Sequence, residues 1–311
     1  MGPNRGLPHV KFLVFGAGAI GSLLGGLLSR GNDVTIVGRK AHVDAVNRRG
    51  LRISGLTALL AWPTAATEVP VGDFDAIFVT TKAYDTADAV ASLRAFWRRS
   101  TFVTLQNGLG NAEAFSAKAD RVVAGTTTQG VTFVAPGEVV HAGPGDTVVG
   151  PVKGVARGDV QPIADALTAA GISTTVTDDV RRELWAKAVV NAAINPLTAL
   201  LRRPNGFLLQ EADLRALVTH LAKEGAAAAR AVGLDLDPES TAARAAEVAA
   251  RTATNRSSML QDVEQRRRTE IDAITGAILQ AGGSMGLRLD YNRMVLGLIR
   301  GIERSFASTR T

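Results

Sequence analysis

KFLVFGAGAIGSLLGGLLSRGNDVTIVGRK, residues 11–40, decides the architecture of the first half of the chain. FLVF (12–15) has the composition of a short strand, and the following apolar run reaches Ser29 with the length of a helix. Gly31 stands where a helix C-terminus favours glycine, and VTIV (34–37) supplies the next strand. Between strand and helix lies GAGAIG (16–21). In that setting Gly16 permits a tight turn, Gly18 lets a pyrophosphate approach the backbone, and Gly21 lets helix and strand pack closely. With Ala17, Ala19 and Ile20 filling the motif, the helix N-terminus offers N–H groups and a partial positive charge to phosphates. Residues 16–21 are therefore the candidate dinucleotide cradle, the bland alternative being a glycine-rich turn that only packs.

The same alternation continues outward. A short helix fits residues 41–49, and AIFVT (76–80), TFVTL (101–105), RVVAG (121–125) and VTFVA (131–135) extend the strand series. Strands of this length separated by helices predict a largely parallel sheet with helices on both faces, a doubly wound α/β arrangement of the Rossmann type. GEVVHAGPGDTVVG (137–150) reads as an antiparallel hairpin added at the edge, and ISTTV (172–176) as one more strand. From about residue 180 the strand signal stops. Segments 181–202, 207–232, 238–251, 258–281 and 290–306 carry helical spacing, which predicts an all-α C-terminal domain. The expected organisation is a loose tail at 1–9, a nucleotide-binding domain at 10–178, and a helical substrate and catalytic domain at 179–311.

With 46% hydrophobic and 21% charged residues in 311, the chain has enough material for two cores. It has no cysteine, which removes disulfides, thiolate chemistry and cysteine-based zinc sites; its four histidines are scattered, so no metal is expected. The cytoplasm is the default compartment. No apolar run approaches the roughly 20 residues of a membrane span, and no membrane partner is expected. The net charge of +6 comes mostly from dispersed arginines without interleaved aromatics, so nucleic acid is not expected either. Arg266-Arg267-Arg268, in a helical stretch beside Glu264 and Glu270, reads as a solvated face. The apolar content of the helical half would allow a homodimer.

The candidate chemistry lies at strand ends and on one helix. After VTIV comes Gly38-Arg39-Lys40, with no Asp or Glu between Val34 and Val43 to accept a ribose 2′-hydroxyl. Arg39 suits a 2′-phosphate instead, favouring NADP (NADPH). Lys82 and Asn107 follow two further strands, at the edge where doubly wound sheets bind ligands. In ELWAKAVVNAAINPLTALLRRPNG (183–206), Lys187, Asn191 and Asn195 recur every four residues along one side of a largely apolar helix. An ammonium there would polarise a substrate carbonyl and deliver the proton that accompanies a hydride, and the amides would bind substrate oxygens. Pro196 lacks an N–H, so a kink there would free backbone groups beside Asn195. The alternative pairs Lys187 with Glu183 as a surface salt bridge.

GAGAIG, TKAYD, LQNGLGN, GTTT, LWAKAVVNAAINPLTALLRRPNG and SSMLQDVEQRRRTEIDAITG occur in this order along the chain. Together they resemble the ketopantoate reductase (2-dehydropantoate 2-reductase) family, over about residues 10–306. The resemblance implies NADPH-dependent reduction of 2-dehydropantoate to (R)-pantoate, a step toward pantothenate and coenzyme A. It places Lys187 on the catalytic lysine, and Asn191, Asn195, Asn205 and Ser258 on substrate positions, Ser258 at the carboxylate end. Asn107 falls where both ligands are touched. Gly16 to Gly21, Arg39, Lys82, the Val131 backbone and Glu270 fall on cofactor contacts. Along one straight helix Ser258 and Glu270 would stand about 18 Å apart, so Glu270 is expected at the cofactor's far side. Ser258 with Gln261 reads as a capping box, and the plain alternative for Glu270 is a salt bridge to Arg266 or Arg267. Two other functions fit less directly: a reductase of other 2-oxo acids, and a nonenzymatic NADP sensor on the same fold.

Overall fold

In the computed structural model, which describes residues 10–308, the elements of the first unit run in the following order. They are β1 (Lys11–Phe15), α1 (Ala19–Leu28), β2 (Asp33–Val37), α2 (Lys40–Arg49), β3 (Leu51–Gly55), β4 (Leu59–Ala61), β5 (Thr64–Ala66) and β6 (Ala76–Val79). There follow α3 (Thr86–Ser92), β7 (Thr101–Thr104), α4 (Asn111–Ser116), β8 (Val122–Thr127), β9 (Gly130–Ala135), β10 (Glu138–Gly143), β11 (Thr147–Lys153), α5 (Arg157–Ala169) and β12 (Thr174–Val176). The tail expected at residues 1–9 lies outside the described residues. Eight strands form one sheet in the order β12-β11-β8-β7-β6-β1-β2-β5. β1 pairs in parallel with β2 on one side (Phe12 opposite Val34) and with β6 on the other (Phe12 opposite Ala76). The strand order therefore reverses at β1, and the turn carrying GAGAIG leaves from its carboxyl end, where sheets of this kind bind ligands.

A second sheet, β4-β3-β10-β9, was not foreseen. It explains why α1 is apolar on every side: residues 21–28 are all buried, as in a helix enclosed on both faces. A side chain at Gly25 would overlap Ile36 of the large sheet, and one at Gly26 would meet Ile53 of the small sheet at 2.7 Å. The Gly25-Gly26 pair, which costs about 1 kcal/mol per residue in a helix, thus lets α1 lie close to both sheets.

Two strand expectations are corrected by this arrangement. VTFVA becomes β9 in the small sheet rather than a member of the parallel series. GEVVHAGPGDTVVG is not a hairpin: β10 inserts between β9 and β3, while β11 inserts between β8 and β12. Each strand so pairs both of its edges, whereas a marginal hairpin leaves one row of backbone groups unpaired.

The second unit comprises Asn107–Gly110 and residues 181–308, so four residues after β7 group with the helical part rather than with the sheet. Its helices are α6 (Val180–Leu201), α7 (Ala212–Ala231), α8 (Pro238–Arg251), α9 (Ser258–Glu264), α10 (Ala277–Ser284) and α11 (Asp290–Ser308). Helix α6 is continuous through Pro196, with no break at that residue. Among the described helices it alone is long and apolar enough to cross a membrane, contrary to the expectation that no apolar run approaches that length. Its side chains Trp185, Val189, Ile194 and Leu197 are instead buried in the helical core. Gly225 of α7 admits this helix, since a side chain there would meet Val189 at 2.8 Å.

The single helix expected over 258–281 is broken. α9 ends at Glu264, Arg266 takes a left-handed φ of +52°, and Arg267 N–H donates back to Asp262 O at 2.8 Å. That is a helix-terminating loop in which glycine is usual. The three arginines therefore sit in a turn, not on a helical face. Arg267 pairs with buried Asp262 at 3.0 Å, Arg268 pairs with Asp272, and Arg266 lies over the Phe306 ring. The chain resumes as a π-helical turn, Asp272–Gly276, before α10.

Candidate active site

The glycine turn is built from three different constraints. Gly16 has a φ of +108°, and a side chain on it would lie 2.6 Å from Thr81 N. A Cβ on Gly21 would overlap the Gly16 carbonyl and the Thr80 hydroxyl. Gly18 differs: it is exposed, and a Cβ there would meet nothing within 4 Å. Its lack of a side chain is not required by packing and leaves open space above the N-terminus of α1, which has no side-chain cap. Ala17 is buried, while Ala19 and Ile20 are half-buried at the first turn. These features suit the phosphates of a dinucleotide.

Around this turn, Arg39 is exposed as the N-cap residue of α2, and its guanidinium makes no ion pair with a described residue. Lys40 is taken up by Asp44 at 2.8 Å, so the basic pair divides into one local salt bridge and one available fork. Lys82 is half-buried at the head of the turn Ala83–Asp85. Val131 lies half-buried on β9, opposite His141, in the small sheet. Gln106 was missed. It is 5% exposed, and its amide donates to Thr81 Oγ1 at 3.1 Å and Thr86 Oγ1 at 2.9 Å, tying together the loops after β6 and β7. A glutamine directly after a buried apolar strand was the available signal.

In the helical unit the structure brings together Lys187, Asn107 and Glu270. Lys187 Nζ donates to Asn107 Oδ1 at 2.8 Å, and Asn107 Nδ2 donates to Glu270 Oε2 at 3.2 Å. Only this orientation of the amide serves both an ammonium and a carboxylate. Gly108 permits it: its φ is +85°, and a side chain there would strike the Ala273 carbonyl, which accepts Leu109 N–H at 2.9 Å. The π-helical turn thus holds the 107–110 segment in place.

Lys187 does not form the alternative surface pair with Glu183, whose carboxylate lies 3.7 Å from Arg182. Desolvation pulls the pKa of Lys187 down to about 8, with the negative charge of Glu270 acting in the opposite direction. Glu270, 6% exposed, is linked to Lys187 through Asn107 rather than remote from it. The helix that would have carried it away from Ser258 is interrupted, so the argument for the far side fails.

Asn191 is half-buried and Asn195 is 7% exposed; neither side-chain amide is hydrogen-bonded to a described residue. Asn205 is turned onto the fold, donating to Thr252 Oγ1 at 2.8 Å, while its Oδ1 is buried without a partner among the described residues. Ser258 is exposed in the first turn of α9. The capping box assigned to it is displaced by one residue: Ser257 is the N-cap and accepts Leu260 N–H at 3.0 Å, and Gln261 bonds the Arg256 carbonyl. The Ser257 hydroxyl also lies 2.7 Å from that of Thr198, a contact sequence reading did not supply.

The family description "Ketopantoate reductase PanE/ApbA" matches residues 12–154, and its C-terminal counterpart matches residues 179–303. The chain belongs to the ketopantoate reductase family. It is 40% identical over 293 residues to a 2-dehydropantoate 2-reductase of Archaeoglobus fulgidus, covering 93% of this chain and 97% of that one. Among solved structures, a PanE/ApbA family ketopantoate reductase from Ralstonia eutropha JMP134 superposes with a TM-score of 0.88 at 29% identity, covering 96% and 99%. A ternary structure of D-mandelate dehydrogenase with NADH and anilino(oxo)acetate gives 0.90 at 25% identity, with the same coverage. As a ketopantoate reductase the chain is an oxidoreductase acting on CH–OH, of a family dependent on NAD(P)H.

Proposed function

We propose that this ketopantoate reductase converts 2-dehydropantoate to (R)-pantoate with NADPH, and that Lys187 donates the proton. The observation that carries the reading is the amine of Lys187 held by Asn107 beside Glu270, with its pKa near 8. At pH 7 such an amine is protonated about ten to one. It is also a far better proton donor than an ordinary lysine, as a general acid near neutrality requires.

NADPH, when bound, supplies the hydride to the carbonyl carbon. Lys187 polarises the carbonyl oxygen and transfers its proton there. Asn107 fixes the direction of the ammonium, and Glu270 keeps the amine charged until transfer. Asn191 and Asn195, whose amides have no described protein partner, are left to bind the hydroxyl and carboxylate oxygens of the substrate, with Ser258 at the carboxylate. Residues 16–21 would hold the pyrophosphate, with Lys82 and the Val131 backbone as further cofactor contacts. Asn205 contributes by shaping the loop after α6, since its amide nitrogen is already committed to Thr252. The preference for NADPH over NADH rests on Arg39 and on the absence of an acid at the end of β2.

Replacing Lys187 with Ala tests the reading. Turnover of NADPH with 2-dehydropantoate should fall by about 10²–10⁴ while NADPH still binds; undiminished turnover would remove Lys187 from the mechanism. A second reading, a wider range of 2-oxo acids, is favoured by the likeness to D-mandelate dehydrogenase. A substrate panel ranked by kcat/KM separates the two, the first failing if 2-dehydropantoate is not among the best.

A further inference from the structure

Two buried hydroxyls connect the helices that carry the proposed substrate groups. Thr198, fully buried on α6, donates to the Asn195 carbonyl at 2.9 Å. Ser257, buried at the N-cap of α9, accepts Leu260 N–H at 3.0 Å and lies 2.7 Å from Thr198 Oγ1. The single hydrogen of Thr198 is committed to Asn195, so the hydrogen between the two hydroxyls belongs to Ser257. One directed chain results, from Leu260 N–H through Ser257 and Thr198 to the Asn195 carbonyl.

Each end of this chain adjoins a residue of the proposed substrate site. Asn195 is the acceptor itself, and Ser258 is the residue after Ser257. Pro196 lacks the N–H that would have bonded the Ala192 carbonyl one turn earlier in α6, and α9 has only seven residues, too few to hold a helix on its own. We propose that Ser257 and Thr198 are positioning residues that fix the separation of Asn195 and Ser258 and thereby set the affinity for the carboxylate end of the 2-oxo acid. The claim rests on the reading of Asn195 and Ser258 as substrate groups.

The experiment uses the full chain with Ser257→Gly, Thr198→Val, the double variant and Thr198→Ser. Glycine serves at an N-cap nearly as well as serine, so Ser257→Gly breaks the bridge while keeping the start of α9. The KM for 2-dehydropantoate should rise about tenfold in either single variant, the scale of one lost buried hydrogen bond. At the same time kcat should change less than about threefold, and NADPH affinity should hold. The double variant should be no worse than the poorer single one, because both remove the same chain. Thr198→Ser should restore the original KM, and the methyl ester of the same 2-oxo acid should be insensitive to Ser257→Gly.

An unchanged KM in folded Ser257→Gly would overturn the proposal, as would a parallel fall of kcat and NADPH affinity. If Thr198→Val fails to fold, Ser257→Gly decides alone. A raised KM in Asn195→Ala and Ser258→Ala together with an unaltered KM in Ser257→Gly would sink only the positioning role; an unaltered KM in both Asn195→Ala and Ser258→Ala would sink the underlying reading.

Discussion

Replacing Glu270 with Gln should shift the pH dependence of catalysis downward. The two hydrogen bonds through Asn107, with the width of its amide, limit the separation of Lys187 and Glu270 to about 8 Å. At that distance and an effective dielectric of about 20, opposite charges attract by at least ~2 kcal/mol, or ~1.5 pK units. The carboxylate raises the pKa of Lys187 against the larger lowering by desolvation, the balance lying at about 8. Without the charge the amine should titrate near 6.5 or below. Lys187 acts in its protonated form, so activity is present below this pKa and lost as pH rises through it. kcat/KM should therefore fall with a midpoint near 8 in the parent and near 6.5 in the variant, a loss of about eightfold at pH 7.5 and almost none at pH 5.5. Glutamine keeps an acceptor for Asn107, so the geometry survives. Initial rates of NADPH oxidation across pH 5.5–9 measure the midpoints. A variant midpoint that stays at 8 or rises would refute the electrostatic role of Glu270.

Further outcomes follow from the turn and the helix ends. Gly18→Ala should leave the melting temperature unchanged, because its Cβ meets nothing, yet weaken NADPH binding at least about tenfold. Gly21→Ala, whose Cβ overlaps the Gly16 carbonyl, should destabilise the fold by about 2 kcal/mol or more in chemical denaturation. Arg39→Ser should raise the KM for NADPH about tenfold or more while sparing NADH, a ratio read from paired saturation curves. Arg202 ends α6 with a φ of +53°, and Arg203 N–H returns to Thr198 O at 3.2 Å, the geometry in which glycine is preferred. Arg202→Gly should therefore stabilise the protein by about 1 kcal/mol in urea titrations; a loss of stability would show that the arginine makes a stabilising contact.

What the sequence determined by itself was local and periodic. The glycine turn, strands β1, β2, β6, β7 and β8 of the large sheet and most helices announce themselves through short-range constraints: a glycine-rich turn between strand and helix, short apolar runs, and apolar stripes every three or four residues. The stripe Lys187, Asn191, Asn195 was readable for the same reason, since helical periodicity alone puts these residues on one side. Arg39 could be singled out as a candidate because the end of the second strand occupies a fixed place in this kind of sheet.

Tertiary structure decided everything that depends on partners distant in the chain. The small sheet joins strands far apart in the chain, such as β3 and β10, where Arg52 stands opposite Glu138, and no local pattern encodes which edge a strand will find. Helix α9 stops where Arg266 adopts a conformation its residue type disfavours, with Arg267 paired to Asp262 and Arg266 lying over Phe306. Lys187, Asn107 and Glu270 come together across 80 and 163 residues. The sequence named all three, but the desolvation that brings the lysine toward neutrality, and the carboxylate that opposes it, exist only once the chain has folded around them.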